Sequence, residues 1–227
     1  MNPRVSVIIP AFNEESSIGL VLQDLPQETL HQIIVVDNAS NDATAEVAKK
    51  HGAAVVEEKR RGYGSACLKG MACLDHPDIV VFLDGDFSDY PEEISQLIDP
   101  IACGKKDFVL GSRMIFPESR AALLPQARYG NRLAVFLMRL FFGYRFTDLG
   151  PFRAIRYQSL LNIGMQDTNF GWTVEMQIKA VRHGLRIAEI AVHYRERVGV
   201  SKITGTVSGT LKAGTKIIYT IFKYLIT

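Results

Sequence analysis

Strand-forming and helix-forming stretches alternate along the first half of the chain, and this limits the fold more than any other feature. "RVSVIIP" reads as a strand that stops at Pro10. "QIIVVD", "DIVVFLD" and "DFVLGSR" are continuous apolar runs of the kind buried on both faces of a parallel sheet, and "AAVVEE" adds a fifth strand. Between them lie helical patterns. "ESSIGLVLQDL" repeats Ile18, Leu22 and Leu25 at helical spacing. "NDATAEVAKKHG" runs from a cap at Asn41 or Asp42 to Gly52. "GYGSACLKGMACL" follows, and "PEEISQLIDPI" opens with Pro91 in its first turn and Glu92 and Glu93 behind it. Strands alternating with helices of about ten residues predict an α/β fold, a doubly wound and mostly parallel sheet flanked by helices. Ligands of such sheets bind beyond the carboxyl ends of the strands. That rule sets Pro10–Glu14, Asp37–Asn41, Asp84–Asp89 and Gly111–Arg113 along one rim.

The second half is less regular. "QARYGNRLAVFLMRLFFG" reads as a helix with an apolar face, and "TDLGPFRAI" as a turn and short strand. "FGWTVEMQIKAVRHG" reads as a helix, "RIAEIAVHYRER" as a strand and "VGVSKITG" as a glycine-bearing loop. With no repeat and no low-complexity linker, the expectation is a single domain over residues 1–204 and a C-terminal amphipathic helix over 205–227. In that helix Leu211, Ile217, Ile218, Ile221, Phe222, Leu225 and Ile226 recur at helical spacing among Lys212, Lys216 and Lys223, the pattern of an interfacial helix.

Charge is uneven. The net charge is +2, yet residues 195–227 hold six Lys and Arg against Glu196 alone. A basic end on a slightly acidic body suits a phosphate-bearing partner or a membrane surface. No apolar run reaches the length of a membrane-spanning helix: "LAVFLMRLFF" is interrupted by Arg139. The N-terminus lacks the pattern of a signal peptide. Cys67, Cys73 and Cys103 have neither metal-ligand spacing nor an even disulfide count, which suits a reducing compartment.

The chemistry concentrates in "VVFLDGDFSDYPEE". Asp84 and Asp86, two apart in a strand, would share a face, with Gly85 between them allowing close approach. Two carboxylates aimed at one spot call for a hard divalent cation, whose shell a diphosphate completes. The alternative is a solvated acidic turn. Dinucleotide, P-loop and nucleophile-elbow motifs are missing. "KRRGYGSA" suits phosphates, with arginines for charge, glycines for close approach and a helix start behind them.

"VSVIIPAFNEE", "IIVVDNASNDAT", "RGYGSA", "VVFLDGD" and "GSR" resemble, in order and spacing, family 2 glycosyltransferases of the GT-A fold. "TDLGPFRAI", "GWTVEMQIKA" and "EIAVHYRERVGVSKI" are similar to the dolichol-phosphate mannose synthases and bacterial polyprenyl-phosphate glycosyltransferases. The resemblance implies inverting transfer from a nucleotide sugar. The donor is a UDP-sugar, with a GDP-sugar as alternative, and the metal is Mg²⁺ or Mn²⁺. By position, Pro10, Phe12, Glu14 and Asp37 would line the nucleoside pocket, and Arg61, Gly62 and Gly64 would lie near the diphosphate. Asp84 and Asp86 would form the metal motif. Where the family's mannose synthases carry a metal-ligating Gln, this chain has Ser88 followed by Asp89, so the third ligand is Ser88, Asp89 or water. Arg197, Ser201 and Lys202 match a loop that closes over the diphosphate.

The same resemblance implies a polyprenyl phosphate acceptor held by Arg113 and by Arg128 or Arg132. A phosphate acceptor is already anionic and needs no base; a hydroxyl acceptor would need one, with Asp148 or Glu175 the candidates. Trp172 is a candidate sugar platform or a core residue. The expected setting is the cytoplasmic face of the membrane, with peripheral attachment through the C-terminal helix and the Leu133–Phe142 face. A homodimer is the other use of those faces, and nucleic acid is not an expected partner. A non-catalytic nucleotide-sugar-binding protein is the remaining functional class.

Overall fold

In the computed structural model, residues 3–199 and 207–226 are described. Seven strands form one sheet. In chain order they are β1 (Val5–Ala11), β2 (Gln32–Asp37), β3 (Ala54–Glu57), β4 (Ile79–Phe82), β5 (Phe108–Ser112), β6 (Arg153–Arg156) and β7 (Ile187–Ala191). Their spatial order is β3-β2-β1-β4-β6-β5-β7. All pairings are parallel except those of β6, which runs against both β4 and β5. The predicted mostly parallel α/β sheet is therefore present, with one reversed strand near its centre.

Alternation along the strands fills two cores. Val7, Ile9, Val35, Val81 and Val109 point to one face. That face is covered by α1 (Ile18–Asp24), α2 (Thr44–Lys50) and α4 (Ile94–Ala102). Ile8, Ile34, Val36, Val80, Phe82, Phe108 and Leu110 point to the other. There they meet α3 (Tyr63–Met71), α6 (Pro125–Phe142), α7 (Tyr157–Ile163), α8 (Trp172–Arg182) and α9 (Val207–Ile226). Both faces of the central strands are thus dry, which explains their unbroken apolar sequences. The short helices α5 (Pro117–Ala122) and α7 carried no distinct sequence signal.

One expectation is corrected. The strand before Asp84 stops at Phe82, and the chain turns at residues 85–87, so Asp84 and Asp86 do not share a face through strand periodicity. The expected C-terminal helix is present as α9 and packs on the body of the domain. Ile221, Tyr224 and Thr220 of α9 are buried, and the helix packs on α6 and α8. The predicted interfacial helix accordingly has one buried face and one exposed face.

The reversed strand positions the site. The parallel strands deliver their carboxyl ends to one rim, and β6, running the other way, begins there. The residues preceding it, Asp148–Phe152, therefore reach the rim beside β5. Strain is stored in the same loops: Asn13, Ala39 and Phe87 have φ of 53°, 60° and 62° after β1, β2 and β4. Such left-handed residues cost about 1–3 kcal/mol each and persist only where surroundings over-determine them.

Candidate active site

A cleft of about 410 Å³ opens at the rim. Pro10, Phe12, Glu14, Arg61, Gly62, Asp84, Asp86 and Arg197, all expected from the sequence, line it. Asn38, Tyr63, Asn169, Phe170 and Lys212 also line it and were not singled out.

Asn38 organises one wall. Its amide Nδ2 donates to the carbonyls of Glu58 (3.0 Å) and Arg60 (2.8 Å), and its Oδ1 accepts from the Gly62 amide (2.8 Å). One buried side chain thus ties the 58–62 loop to the end of β2. Arg61, carried on that loop, lies 3.4 Å over the Phe12 ring, a close cation–π contact. Asp37, next to Asn38, does not line the cleft; its Oδ1 accepts the Ser40 amide at 3.1 Å and shapes the turn.

The glycines serve the protein as much as any ligand. Gly62 has φ +144°, and a Cβ there would lie 2.2 Å from the Thr168 carbonyl oxygen. A Cβ on Gly64 would lie 2.0 Å from the Asp167 carbonyl oxygen. The Ser65 amide, in the first turn of α3, donates to Thr168 O at 2.9 Å. This part of the helix start is capped by the 167–168 backbone instead of being left open to a phosphate. Gly64 packs under that segment and does not line the cleft.

The acidic turn forms the floor. Ser88 donates both its hydroxyl and its amide to Asp86 Oδ1, the amide at 3.0 Å. Asp86 Oδ2 pairs with Arg197 Nη1 at 3.0 Å, and Arg197 Nη2 reaches Glu14 Oε1 at 2.6 Å. Arg197 thus bridges the two walls. Segment 194–198 is stitched along the turn by the Asp89–Tyr194 bridge and by amide bonds from Arg195 to Ser88 O and from Val198 to Asp86 O. Arg195 stacks on Phe87 and Tyr90, holding the strained residue in place.

Asp84 Oδ1 and both Asp89 oxygens are buried without a hydrogen-bond partner among the described residues. Burial, then the neighbouring Asp86 carboxylate, pushes Asp84 above the ordinary carboxylate range. Burial, then Asp84, does the same to Asp89. Asp84, with an orphaned oxygen at the cleft beside the Asp86 carboxylate, suits a divalent cation. No cluster of three or more His, Cys, Asp or Glu with metal geometry occurs among the described residues. The protein's share fits two carboxylates, Asp84 and Asp86, with the rest of the shell from a diphosphate and water. Neither Ser88, which donates to Asp86, nor Asp89, which is enclosed, lines the cleft.

The two candidate bases are not free carboxylates. Asp148 is completely buried and accepts four hydrogen bonds: from Arg113 N (2.9 Å), Nε (2.8 Å) and Nη2 (2.9 Å), and from Leu149 N (2.7 Å). Burial works against the Arg113 charge, but the Asp148 carboxylate more than offsets it and raises the guanidinium pKa. Glu175 is equally buried. It accepts from the amides of Gln166 (3.0 Å) and Asp167 (2.6 Å) and from the Tyr224 hydroxyl (2.6 Å), and pairs with Lys179 at 2.7 Å. Asp148 positions Arg113; Glu175 joins α8, α9 and the 166–170 loop. Trp172 packs edge-on against Phe82 in the core, 1% exposed, and offers no sugar platform.

Arg128 is half-buried in α6, while Arg132, a turn later, is exposed and faces a second groove instead of the rim cleft. Ser201 and Lys202 lie outside the described residues. The late helix α9 nevertheless reaches the cleft through Lys212, and its Lys216 pairs with Asp167 at 2.7 Å.

The strand order, the reversed β6 and the acidic turn beyond β4 define a GT-A glycosyltransferase fold. Solved structures of glucosyl-3-phosphoglycerate synthase from Mycobacterium tuberculosis share it. The complex with phosphoglyceric acid superposes with a TM-score of 0.78 at 22% identity, over 97% of this chain and 79% of that one. The complex with Mn²⁺, UDP-glucose and glycerol 3-phosphate gives 0.76 at 23% identity, over 97% and 79%.

The chain belongs to glycosyl transferase family 2, whose sequence model matches residues 6–164. An uncharacterized glycosyltransferase of Mycobacterium bovis is 35% identical over 92% of this chain and 94% of its own length. A dolichyl-phosphate hexose transferase of Haloferax volcanii is 34% identical, over 88% and 86%. An undecaprenyl-phosphate mannosyltransferase of Micrococcus luteus is 30% identical, over 91% and 90%.

Proposed function

We propose that this glycosyltransferase moves a sugar, with inversion, from a nucleoside diphosphate sugar to a polyprenyl phosphate at the cytoplasmic face of a membrane. The observation that carries the acceptor is the state of the two candidate bases. Asp148 and Glu175 are saturated with donors, so neither stands ready to deprotonate a hydroxyl. A phosphate monoester is anionic near neutral pH and needs no base. Two family members bear names of lipid-phosphate transferases, which supports the same acceptor.

In this reading Pro10, Phe12 and Asn38 face the nucleoside, and Arg61, Arg197 and Lys212 surround the diphosphate. Asp84 and Asp86 would hold Mg²⁺ or Mn²⁺, which supplies positive charge to the departing diphosphate. An acceptor phosphate oxygen attacks the anomeric carbon from the face opposite the diphosphate. The anomeric C–O bond breaks, and its electron pair leaves with the nucleoside diphosphate. Arg113, preset by Asp148, stands near the acids to orient the acceptor phosphate, with Arg128 as its second cation, since Arg132 faces the other groove. Preorganised cations around the leaving diphosphate stabilise charge as it develops. UDP is the preferred donor nucleotide, on family resemblance, with GDP as the alternative.

Labelled UDP- and GDP-sugars incubated with polyprenyl phosphate, with and without Mn²⁺ or Mg²⁺, test the proposal. A metal-dependent, β-linked glycolipid from an α-linked donor is expected. Transfer only to a soluble acceptor would refute the lipid assignment, and donor binding without any turnover would favour a non-catalytic binding protein.

A further inference from the structure

Among the described residues, α6 and α9 contain no Asp or Glu. Each also leaves large apolar side chains in solvent: Leu133, Phe136 and Leu140 on α6, and Tyr219, Phe222 and Ile226 on α9. Both triplets fall on one helical stripe, and Phe141 touches Phe222 with ring centroids 5.5 Å apart, joining the two stripes into one surface.

Beside this surface lies a groove of about 530 Å³ between α6 and the 143–147 loop. Arg132, Arg139 and Arg145 line it with Val135, Phe136 and Phe146. All three arginines are exposed, and none of their side chains has an ion pair or hydrogen bond among the described residues. The carboxylate tied to this loop, Glu189, is turned onto the amides of Thr147 and Asp148. Three unpaired guanidinium groups against aromatic walls form a receptor for an anion with an apolar attachment.

We propose that this groove binds the phosphate headgroup of an anionic membrane lipid, at a site separate from the donor cleft, and so seats the α6–α9 surface on the bilayer. Charge selects this occupant over a second copy of the chain. A two-fold dimer through this surface would set arginines and lysines against their own counterparts, with no acid on either helix to offset them. An anionic bilayer supplies the missing charge, and its interface accommodates the aromatic side chains.

The site deepens the membrane part of the proposed function but does not depend on the acceptor. Its test therefore uses vesicles without polyprenyl phosphate. The full chain is co-sedimented with phosphatidylcholine vesicles and with vesicles that also contain phosphatidylglycerol, at low and high salt. Binding is expected only with phosphatidylglycerol, weakening with salt. Arg139→Gln/Arg145→Gln should reduce it by roughly 10- to 30-fold, with an unchanged thermal midpoint. Phe136→Ser, on the apolar side, should weaken binding at both salt concentrations. Equal retention on neutral vesicles, or wild-type binding by the double arginine variant, would overturn the assignment. So would a concentration-dependent dimer abolished by Phe136→Ser, or binding of free glycerol phosphate at this groove with no effect of the variants on vesicles.

Discussion

Replacing Asp148 by Asn separates a positioning carboxylate from a catalytic base. The native carboxylate has no exposed surface and meets the Arg113 guanidinium through two bonds of 2.8 and 2.9 Å, plus two backbone amides. An Asn keeps one acceptor oxygen but turns an NH₂ donor toward a guanidinium that also donates. Arg113, whose side chain is only 15% exposed, would remain charged without its counter-ion. Breaking a buried pair from one side costs about 3–5 kcal/mol. The partial access of Arg113 to water favours the lower figure. For a chain of this size each kcal/mol moves the melting temperature by about 2–4 °C, so a drop of about 6–12 °C is expected from some 3 kcal/mol. Scanning calorimetry and urea unfolding measure it directly. Adding Arg113→Met to Asp148→Asn should recover part of the loss, because the orphaned charge is then gone, and a double-mutant cycle should give a coupling above about 1 kcal/mol. Turnover should fall in Arg113→Met and Asp148→Asn alike. The reasoning fails if Asp148→Asn melts within about 2 °C of wild type and still abolishes transfer while Arg113→Met retains it, because that pattern belongs to a base.

Three further outcomes follow from the geometry. Asn38→Ala removes three bonds from one buried amide and should cost about 2–3 kcal/mol in urea unfolding, with weaker donor binding by calorimetric titration because Arg61 loses its mount; unchanged donor affinity would show that the 58–62 loop is set by other contacts. Gly64→Ala puts a methyl 2.0 Å from the Asp167 carbonyl oxygen, so the 167–168 segment must move, and both the melting temperature and donor affinity should fall; a neutral result would mean that the segment is free to retreat. The Asp107 carboxyl, held by hydrogen bonds from Arg186, is lowered to about 2 from an ordinary value near 4. Its contribution to stability is present above pH 4 and lost as pH falls toward 2, so Asp107→Asn should flatten that part of the acid-unfolding curve, and an unaltered acid limb would remove the pair from the account.

The residues that line the rim cleft were legible because their information is local. Each rim segment follows directly on a strand that its own residues specify, so fixing the strands fixed where Pro10, Phe12, Glu14, Asp84 and Asp86 emerge. Strand periodicity was the wrong reason for pairing Asp84 with Asp86. The turn after Phe82, held by Ser88 and the 194–198 segment, brings both into the cleft. The roles of Asp148 and Glu175 were left open between a base and a paired acid. A carboxylate in a helix or turn is the same residue whether it is free or bonded to four donors, and its partners here come from residues 35, 49 and fewer positions away in the chain.

The sequence alone determined the sheet, because alternating apolar runs have one way to become dry on both faces. It also determined the charge of the C-terminal end. Tertiary structure decided everything that depends on segments meeting from a distance. The reversed β6 brings Asp148 to Arg113, Glu175 and Asp167 take Tyr224 and Lys216 from α9, and Lys212 reaches the cleft. It also decided which arginines were left without partners. Pairing is a property of the packed molecule: the charge of Arg113 is absorbed by Asp148, while Arg132, Arg139 and Arg145 remain turned outward with no acid on either neighbouring helix to meet them.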